Sequence, residues 1–166
     1  MNLLLVGNAI SMVGCLVMVF IGFLKKKHHI LIAQCVQCLF MGIGNLVLGG
    51  ISGFVCNVVT IVRNLVFLKL RNTLFLKILF ILLQFVLSIG SLSTGFISWL
   101  PILAAALFTW CMDTKSEAKL KICILVTQVM WLTYDLHFRN YAASAFDVMT
   151  MVSNCIGLYL ICKKKA

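Results

Sequence analysis

The chain has 166 residues, of which 63% are hydrophobic and 11% are charged, and its formal net charge is +10. Soluble domains contain about 45–50% apolar and about 25% charged residues. A short soluble chain leaves much of its surface in water, so this composition excludes an ordinary soluble domain. Apolar stretches long enough to cross the hydrocarbon core recur along nearly the whole sequence. They predict an integral membrane protein whose first partner is the lipid bilayer.

The positive charge lies in short clusters beside the apolar stretches, which does not favour a nucleic-acid partner. Twelve of the 14 Lys and Arg residues are Lys25, Lys26, Lys27, Lys69, Arg71, Lys77, Lys115, Lys119, Lys121, Lys163, Lys164 and Lys165. They fall in alternate loops and in the C-terminal tail, whereas the remaining loops contain only Arg139. This positive-inside pattern predicts a multi-pass protein with its N-terminus outside and its C-terminus in the cytoplasm.

Seven apolar stretches are predicted to be membrane-spanning helices. They lie at about 3–24, 30–48, 52–69, 74–91, 97–112, 120–137 and 142–162. Seven spans fit the alternation of basic loops, whereas six would break it at one end. The sequence therefore predicts an all-α integral membrane fold.

A repeat with an offset of about 90 residues relates the third and seventh spans. The segment Asn57–Asn64 matches Asp147–Asn154, with Val, Thr, Val and Asn identical at four of eight places. One residue of slip in the preceding loop also aligns Gln37 with Gln128. We predict two parallel three-helix repeats, residues 1–70 and 96–166, joined by a linker helix within 71–95 that restores the orientation of the second copy. A substrate site is expected at the interface of such repeats.

Polar side chains form a stripe on one face of each matched span. The stripes are Asn57, Thr60 and Asn64 in the third span and Asp147, Thr150 and Asn154 in the seventh. One interpretation is that they hold helices together by hydrogen bonds, each worth about 0.6 kcal/mol on average. The matched doubling favours a polar cavity instead. A ligand-sized cavity between the two spans would favour transport, whereas a closed seam with Asn64 bonded to Asn154 would favour a non-transporting protein.

Three further ionisable residues lie within the predicted spans, where a charge costs about 2.5–3.5 kcal/mol on the mildest scale. Arg63 either extends its side chain to the membrane surface, pairs with a carboxylate or holds an anionic group. Asp147 stands where the first repeat has the neutral Asn57, so it either binds a cation or proton or is kept neutral by burial. Asp135 and His137 are interpreted as interfacial residues at the outer end of the sixth span, with Trp131 and Tyr134 acting partly as residues of the aromatic belt.

The sequence contains no pattern that favours an enzyme. Cys35 and Cys38 have CxxC spacing, but they lie inside a predicted span without a second Cys or His pair nearby. The eight cysteines are interpreted as small apolar packing residues. Asp135 and His137 are accompanied by neither a nucleophile nor a metal-ligand set. We therefore predict no catalytic residue, no metal site and no cofactor.

Several segments of the chain resemble the YgjV-like bacterial inner membrane proteins. They are Gly49-Gly50 through Asn57, Arg63-Asn64, Trp131-x-x-Tyr134-Asp135 and Ser153-Asn154-x-x-Gly157. The resemblance runs over most of the chain, and that family distantly resembles the SWEET, PQ-loop and PnuC-like transporters. It implies a location in the bacterial inner membrane and a fold of two triple-helix bundles with a linker helix.

The resemblance to SWEET sugar facilitators also implies an asparagine pair that lines a substrate cavity. By repeat register, the candidates are Asn64 and Asn154, with Asn57 and Asp147 one level further out. The chain departs from these relatives because its single proline, Pro101, is not followed by Gln and its first span has no proline. The proline hinges of those relatives are thus at best half present.

Together these observations predict a small-molecule transporter or facilitator that works by alternating access between two triple-helix bundles. The predicted binding residues for an unknown small polar molecule are Asn57, Thr60, Arg63, Asn64, Asp147, Thr150 and Asn154. The alternative is a membrane binding or accessory protein that has the same fold and transports nothing. The sequence is also compatible with assembly into a homo-oligomer.

Overall fold

The computed structural model describes residues 2–21, 27–70, 73–90, 95–111, 114 and 116–163. Seven α-helices lie in this described part, which confirms the predicted all-α fold. They are α1 (Leu3–Ile21), α2 (Lys27–Val47), α3 (Ile51–Lys69), α4 (Leu74–Ser88), α5 (Trp99–Cys111), α6 (Glu117–His137) and α7 (Tyr141–Lys163). Residues 91–94 of the predicted linker segment lie outside the described residues, as do the basic residues Lys25, Lys26, Arg71, Lys115, Lys164 and Lys165.

Four of the helices are long and apolar enough to cross a membrane by length and composition. They are α1, α2 from His28, α3, and α7 as far as Ile161. Helix α4 and the segment Phe96–Cys111 are apolar but shorter. Helix α6 has 21 residues and includes Lys119, Lys121 and Asp135. Each predicted span thus corresponds to a helix, and α4, α5 and α6 remain predicted spans.

The bundle differs from a soluble protein because its outside is apolar and its interior includes many polar side chains. Large apolar side chains cover its outside, as shown by Phe75, Phe96 and Leu5, which are 73%, 76% and 70% exposed. Fully buried side chains include the polar Asn45 and Asn140, both 0% exposed. A bilayer would cover the apolar outside, whereas the polar side chains inside must bond to one another or to a ligand.

The turns that join α2 to α3 and α6 to α7 have the same hydrogen-bond pattern. The Gly50 N–H donates to the Asn45 carbonyl at 2.7 Å, and the Asn140 N–H donates to the Asp135 carbonyl at 2.8 Å. In both turns the residue before the donor is left-handed, with φ +86° at Gly49 and +57° at Arg139. Each turn is a Schellman motif that ends one helix and starts the next.

The two turns occupy positions that differ by 90 residues, as do Gly49 and Arg139. Their matching bonds leave no room for an inserted residue within the turn. The slip that aligned Gln37 with Gln128 was therefore wrongly placed in this loop. At the constant offset, Thr127 rather than Gln128 corresponds to Gln37.

The helices pack as two triplets that meet along two seams. In the first triplet α2 packs between α1 and α3, and in the second α6 packs between α5 and α7. Helix α3 contacts α5 along one seam, and α1 contacts α7 along the other. These two contacts would be exchanged by a two-fold rotation that swaps the triplets. Helix α4 packs on α3 and α5, outside this ring of six helices.

One end of the bundle, which we call the turn end, carries the two Schellman turns at Leu48–Gly50 and Phe138–Asn140. The Asn140 amide group links them, because its Nδ2 donates to Asn45 Oδ1 of the other triplet at 2.9 Å. We call the opposite end of the bundle the basic end, because Lys69 and Lys163 close α3 and α7 there.

Candidate functional site

A cavity of about 330 Å³ lies between the two triplets. Side chains of α1, α2, α3, α5, α6 and α7 line it, and its apolar wall includes Met18, Met41, Phe108 and Phe146. Ligand pockets typically have volumes of about 300–1,000 Å³, so this cavity fits a small molecule. Among the described residues, α3 and α7 are not a packed helix pair, and they flank the cavity instead.

Six of the seven residues predicted to bind a substrate line this one cavity. They are Asn57, Thr60 and Arg63 of α3 and Asp147, Thr150 and Asn154 of α7. The three residues of α3 follow at intervals of three, which places them on one face of the helix. The two stripes therefore face a common space.

Asn64 is the predicted site residue that does not line the cavity. Its side chain is 0% exposed and donates from Nδ2 to Gln34 Oε1 at 3.2 Å. Its Oδ1 accepts hydrogen bonds from Nε and Nη2 of Arg63, at 3.3 and 3.2 Å. Asn64 therefore fixes the position of Arg63, while Asn154 bonds to the Thr150 carbonyl of its own helix at 2.8 Å.

The Arg63 side chain turns inward and does not extend to the membrane surface. It is 5% exposed, lines the cavity, and donates from Nη1 to Thr109 Oγ1 of α5 at 2.8 Å. Its partners within the described residues are the neutral side chains of Thr109 and Asn64, and none of them is a carboxylate. A buried guanidinium keeps its charge, so Arg63 brings to the cavity a positive charge that has no carboxylate partner among the described residues.

Two carboxyl groups lie close together in the same cavity. Asp135 of α6 and Asp147 of α7 interact through their side chains, and both line the cavity. Asp135 is 1% exposed, and its Oδ1 accepts a hydrogen bond from Asn140 Nδ2 at 3.4 Å. Asp147 Oδ2 is buried and has no hydrogen-bond partner among the described residues.

The interpretation of Tyr134 and Asp135 as interfacial residues is wrong. Tyr134 is 0% exposed, and its hydroxyl accepts hydrogen bonds from the Gly53 N–H at 2.8 Å and from Ser52 Oγ at 3.2 Å. Since both partners belong to the first turn of α3, a side chain of the second triplet caps a helix of the first. His137 is exposed, as expected for a residue at the membrane surface.

Several polar residues of the cavity were not among those predicted from the sequence. Gln34, Gln37, Thr127, Gln128 and Asp135 also line it. The repeat signal had included Gln37 and Gln128, but it did not indicate which way their side chains point. Amides and hydroxyls of this kind both donate and accept hydrogen bonds, so the lining can hold a polar ligand in a water-poor space.

The described residues contain no cluster of three or more His, Cys, Asp or Glu side chains that could hold a metal ion. Cys38 lines the cavity, and the described Cys35 is not joined to it by a disulfide. The chemistry of the cavity is therefore that of hydrogen-bond donors and acceptors, one guanidinium and two carboxyl groups.

Comparison with known proteins places the chain in a family. No curated protein and no solved structure gives a significant match to it. A family model described as a bacterial inner membrane protein matches residues 5–165, which is nearly the whole chain. With its apolar helices and apolar outer surface, the chain belongs to the Imp-YgjV family of bacterial inner membrane proteins.

Proposed function

We propose that the protein is a small-molecule transporter or facilitator of the inner membrane. The observation that carries this proposal is the polar-lined cavity of about 330 Å³ between the two triplets. A substrate site at the interface of parallel repeats is a common arrangement in transporters. The cavity residues would bind the substrate, and rocking of one triplet against the other would expose it to each side in turn.

The distribution of bonds between the triplets supports this mechanism. At the turn end, Asn140 bonds to Asn45 and the Tyr134 hydroxyl accepts from Gly53, so the triplets are tied together. Asn8 of α1 strengthens the tie, because its Oδ1 accepts from the Ala142 N–H at 3.0 Å. Closer to the basic end, Arg63 donates a hydrogen bond to Thr109, and this is the bond that joins described residues of the two triplets there.

This asymmetry suggests a conformation whose cavity is closed at the turn end. With the topology predicted from the basic loops, the turn end is outside, and the conformation is inward-facing. Transport would then require the bonds of Tyr134 and Asn140 to break while contacts form at the basic end.

A non-transporting binding or accessory protein is the alternative. A closed seam with Asn64 bonded to Asn154 would have favoured it. Asn64 bonds to Arg63 and Gln34, and Asn154 bonds within its own helix. The separate cavity-lining stripes therefore support transport over the alternative.

The test uses purified protein and a panel of sugars, nucleosides, vitamins and amino acids. A ligand at a hundredfold excess over Kd stabilises the folded state by about 2.7 kcal/mol, which a thermal-shift measurement detects. Compounds that shift the melting temperature are then assayed for uptake into proteoliposomes. We expect Thr60→Val and Thr150→Val, which replace a hydroxyl with a methyl group, to reduce binding and uptake together.

Thr133→Val is the matched control, because Thr133 is exposed on the outer face of α6. It makes the same chemical change outside the cavity and should leave both measurements unaltered. Binding without uptake, for every compound that binds, would support the accessory protein. Uptake that is indifferent to Thr60→Val and Thr150→Val would remove the cavity from the mechanism.

A further inference from the structure

We propose that the cavity takes a small zwitterion, whose anionic group binds Arg63 and whose cationic group binds the carboxyl groups of Asp135 and Asp147. This inference rests on the proposed function and specifies its substrate class.

Arg63 has the capacity to bind an anionic group. A guanidinium has five N–H donors, and three hydrogen bonds, to Asn64 and Thr109, occupy three of them. The other two donors have no partner among the described residues, and the side chain lines the cavity. A buried charge without a partner of opposite sign is strongly unfavourable. A carboxylate or phosphate in the cavity would supply that partner, whereas a neutral molecule would not.

The carboxyl pair has the complementary capacity. Two ionised carboxylates at close range repel each other, and burial strengthens the repulsion. Asp147 Oδ2 also lacks a donor among the described residues. When the two groups share one proton to avoid this repulsion, one negative charge is left. An ammonium group beside the pair would compensate that charge and donate to this oxygen. Gln or Thr side chains of the lining could satisfy the oxygen, but they would leave the charge uncompensated.

The two charged regions lie at different depths, so a single small ion cannot serve both. The equivalent turns place Gly50 and Asn140 at the same end of the bundle. Arg63 lies 13 residues beyond Gly50, and Asp147 lies seven residues beyond Asn140. The difference of six residues corresponds to about 9 Å along the helices. Since the Arg63 side chain is long, a molecule with a few atoms between its charges can reach both regions.

The charges of the cavity agree with a zwitterion. Besides cysteines, Arg63, Asp135 and Asp147 are the ionisable residues among its described lining. With one proton shared by the carboxyl pair, the cavity carries one positive and one negative charge. A zwitterion presents the opposite charge to each region and adds no net charge to the membrane interior. A lone anion or cation would leave one region uncompensated.

The test compares four molecules that share a short carbon chain. γ-Aminobutyrate carries both charges, butyrate and butylamine carry one each, and butyramide is neutral. Glycine and δ-aminovalerate vary the distance between the charges. We expect γ-aminobutyrate and δ-aminovalerate to raise the melting temperature of the detergent-solubilised protein more than glycine or the three other analogues at equal concentration.

Variants of the charged residues test which region of the cavity binds each charged group of the ligand. Arg63→Gln and the double variant Asp135→Asn/Asp147→Asn should each weaken the binding of γ-aminobutyrate by roughly thirtyfold or more, because each leaves one ligand charge buried and unpaired. Arg63→Lys keeps the charge and should bind better than Arg63→Gln, so it carries the test if the latter does not fold. Arg139→Gln is the control, because it removes a positive charge from the exposed turn, outside the cavity.

The outcomes separate this inference from the proposed function. Stronger stabilisation by butyramide or a sugar than by γ-aminobutyrate, with uptake that depends on Thr60 and Thr150, would overturn the zwitterion and leave the transporter. Unchanged γ-aminobutyrate binding in both Arg63→Gln and the double variant Asp135→Asn/Asp147→Asn would also overturn it. Zwitterion binding without uptake would support the ligand class and overturn transport. The absence of binding and uptake across both panels would overturn both proposals.

Discussion

The most sharply defined contact between the triplets is the one that the Tyr134 hydroxyl makes with the start of α3. The Gly53 N–H donates to it at 2.8 Å, and Ser52 Oγ donates to it at 3.2 Å. Gly53 lies in the first turn of α3, where a backbone N–H has no acceptor within its own helix. Tyr134→Phe therefore removes the acceptor of a buried N–H group while the ring keeps its shape.

The expected loss follows from these two bonds. The ring of Tyr134 packs on Trp131 and Phe138, with centroids 6.0 and 4.7 Å away, and Phe retains those contacts. A buried donor left without an acceptor costs about 1–3 kcal/mol. The average hydrogen bond between side chains of membrane proteins contributes about 0.6 kcal/mol, so the loss of two such bonds agrees with the lower limit of this range. For a chain of this length, the melting temperature should fall by roughly 2–12 °C.

The assay is thermal unfolding in detergent, with titration by a denaturing detergent as a second measurement of the free energy of unfolding. Tyr159→Phe is the matched control, because Tyr159 is 66% exposed on the outside of α7. It makes the same substitution and should change the melting temperature little. Equal melting temperatures for Tyr134→Phe and Tyr159→Phe would refute the assigned role of the hydroxyl in joining the triplets.

Two further predictions concern glycine positions. Gly49→Ala should lower the free energy of unfolding by about 1 kcal/mol, because φ is +86° and L-residues with a side chain disfavour that conformation. Steric contact does not contribute, since nothing lies within 4 Å of the added methyl group. At the equivalent position, where φ is +57°, Arg139→Gly should raise the free energy of unfolding by up to about 1 kcal/mol. A change of the melting temperature in the same direction for both variants would contradict the equivalence of the two turns. Gly53→Ala should cost about 1–3 kcal/mol in denaturing-detergent titrations, because its Cβ would lie 2.7 Å from Tyr134 Cε1. Gly90→Ala, with open space around its Cβ, is the control, and an equal loss in both would count against tight packing there.

The helices and the polar stripes could be predicted because both depend on local sequence. An apolar stretch of sufficient length predicts a span, and its polar side chains avoid lipid by facing the protein interior. Thr60 and Thr150 share a register in the repeat, and both line the cavity. The sequence thus indicated which face of α3 and α7 to consider, although binding at that face stays a prediction.

The depth of individual side chains could not be predicted, because contacts with other helices determine it. Asn64 lies on the polar face of α3, yet Gln34 and the long side chain of Arg63 cover it. Tyr134 and Asp135 are near the end of α6, where such residues commonly contact lipid headgroups. They are buried instead, because the first turn of α3 and the Asn140 side chain bond to them.

The central claim is that the cavity opens to one side of the membrane at a time, and site-directed labelling of Thr150→Cys tests it most directly. A membrane-impermeant maleimide is applied to each side in turn, with the wild-type chain as background for the native cysteines. Protease cleavage of a C-terminal tag identifies the side that faces the basic end. We expect labelling from the basic end and much less from the turn end, where Tyr134 and Asn140 close the cavity. Equal labelling from both sides, or from neither side while the unfolded protein reacts, would contradict it, and labelling from the turn end alone would contradict closure by Tyr134 and Asn140.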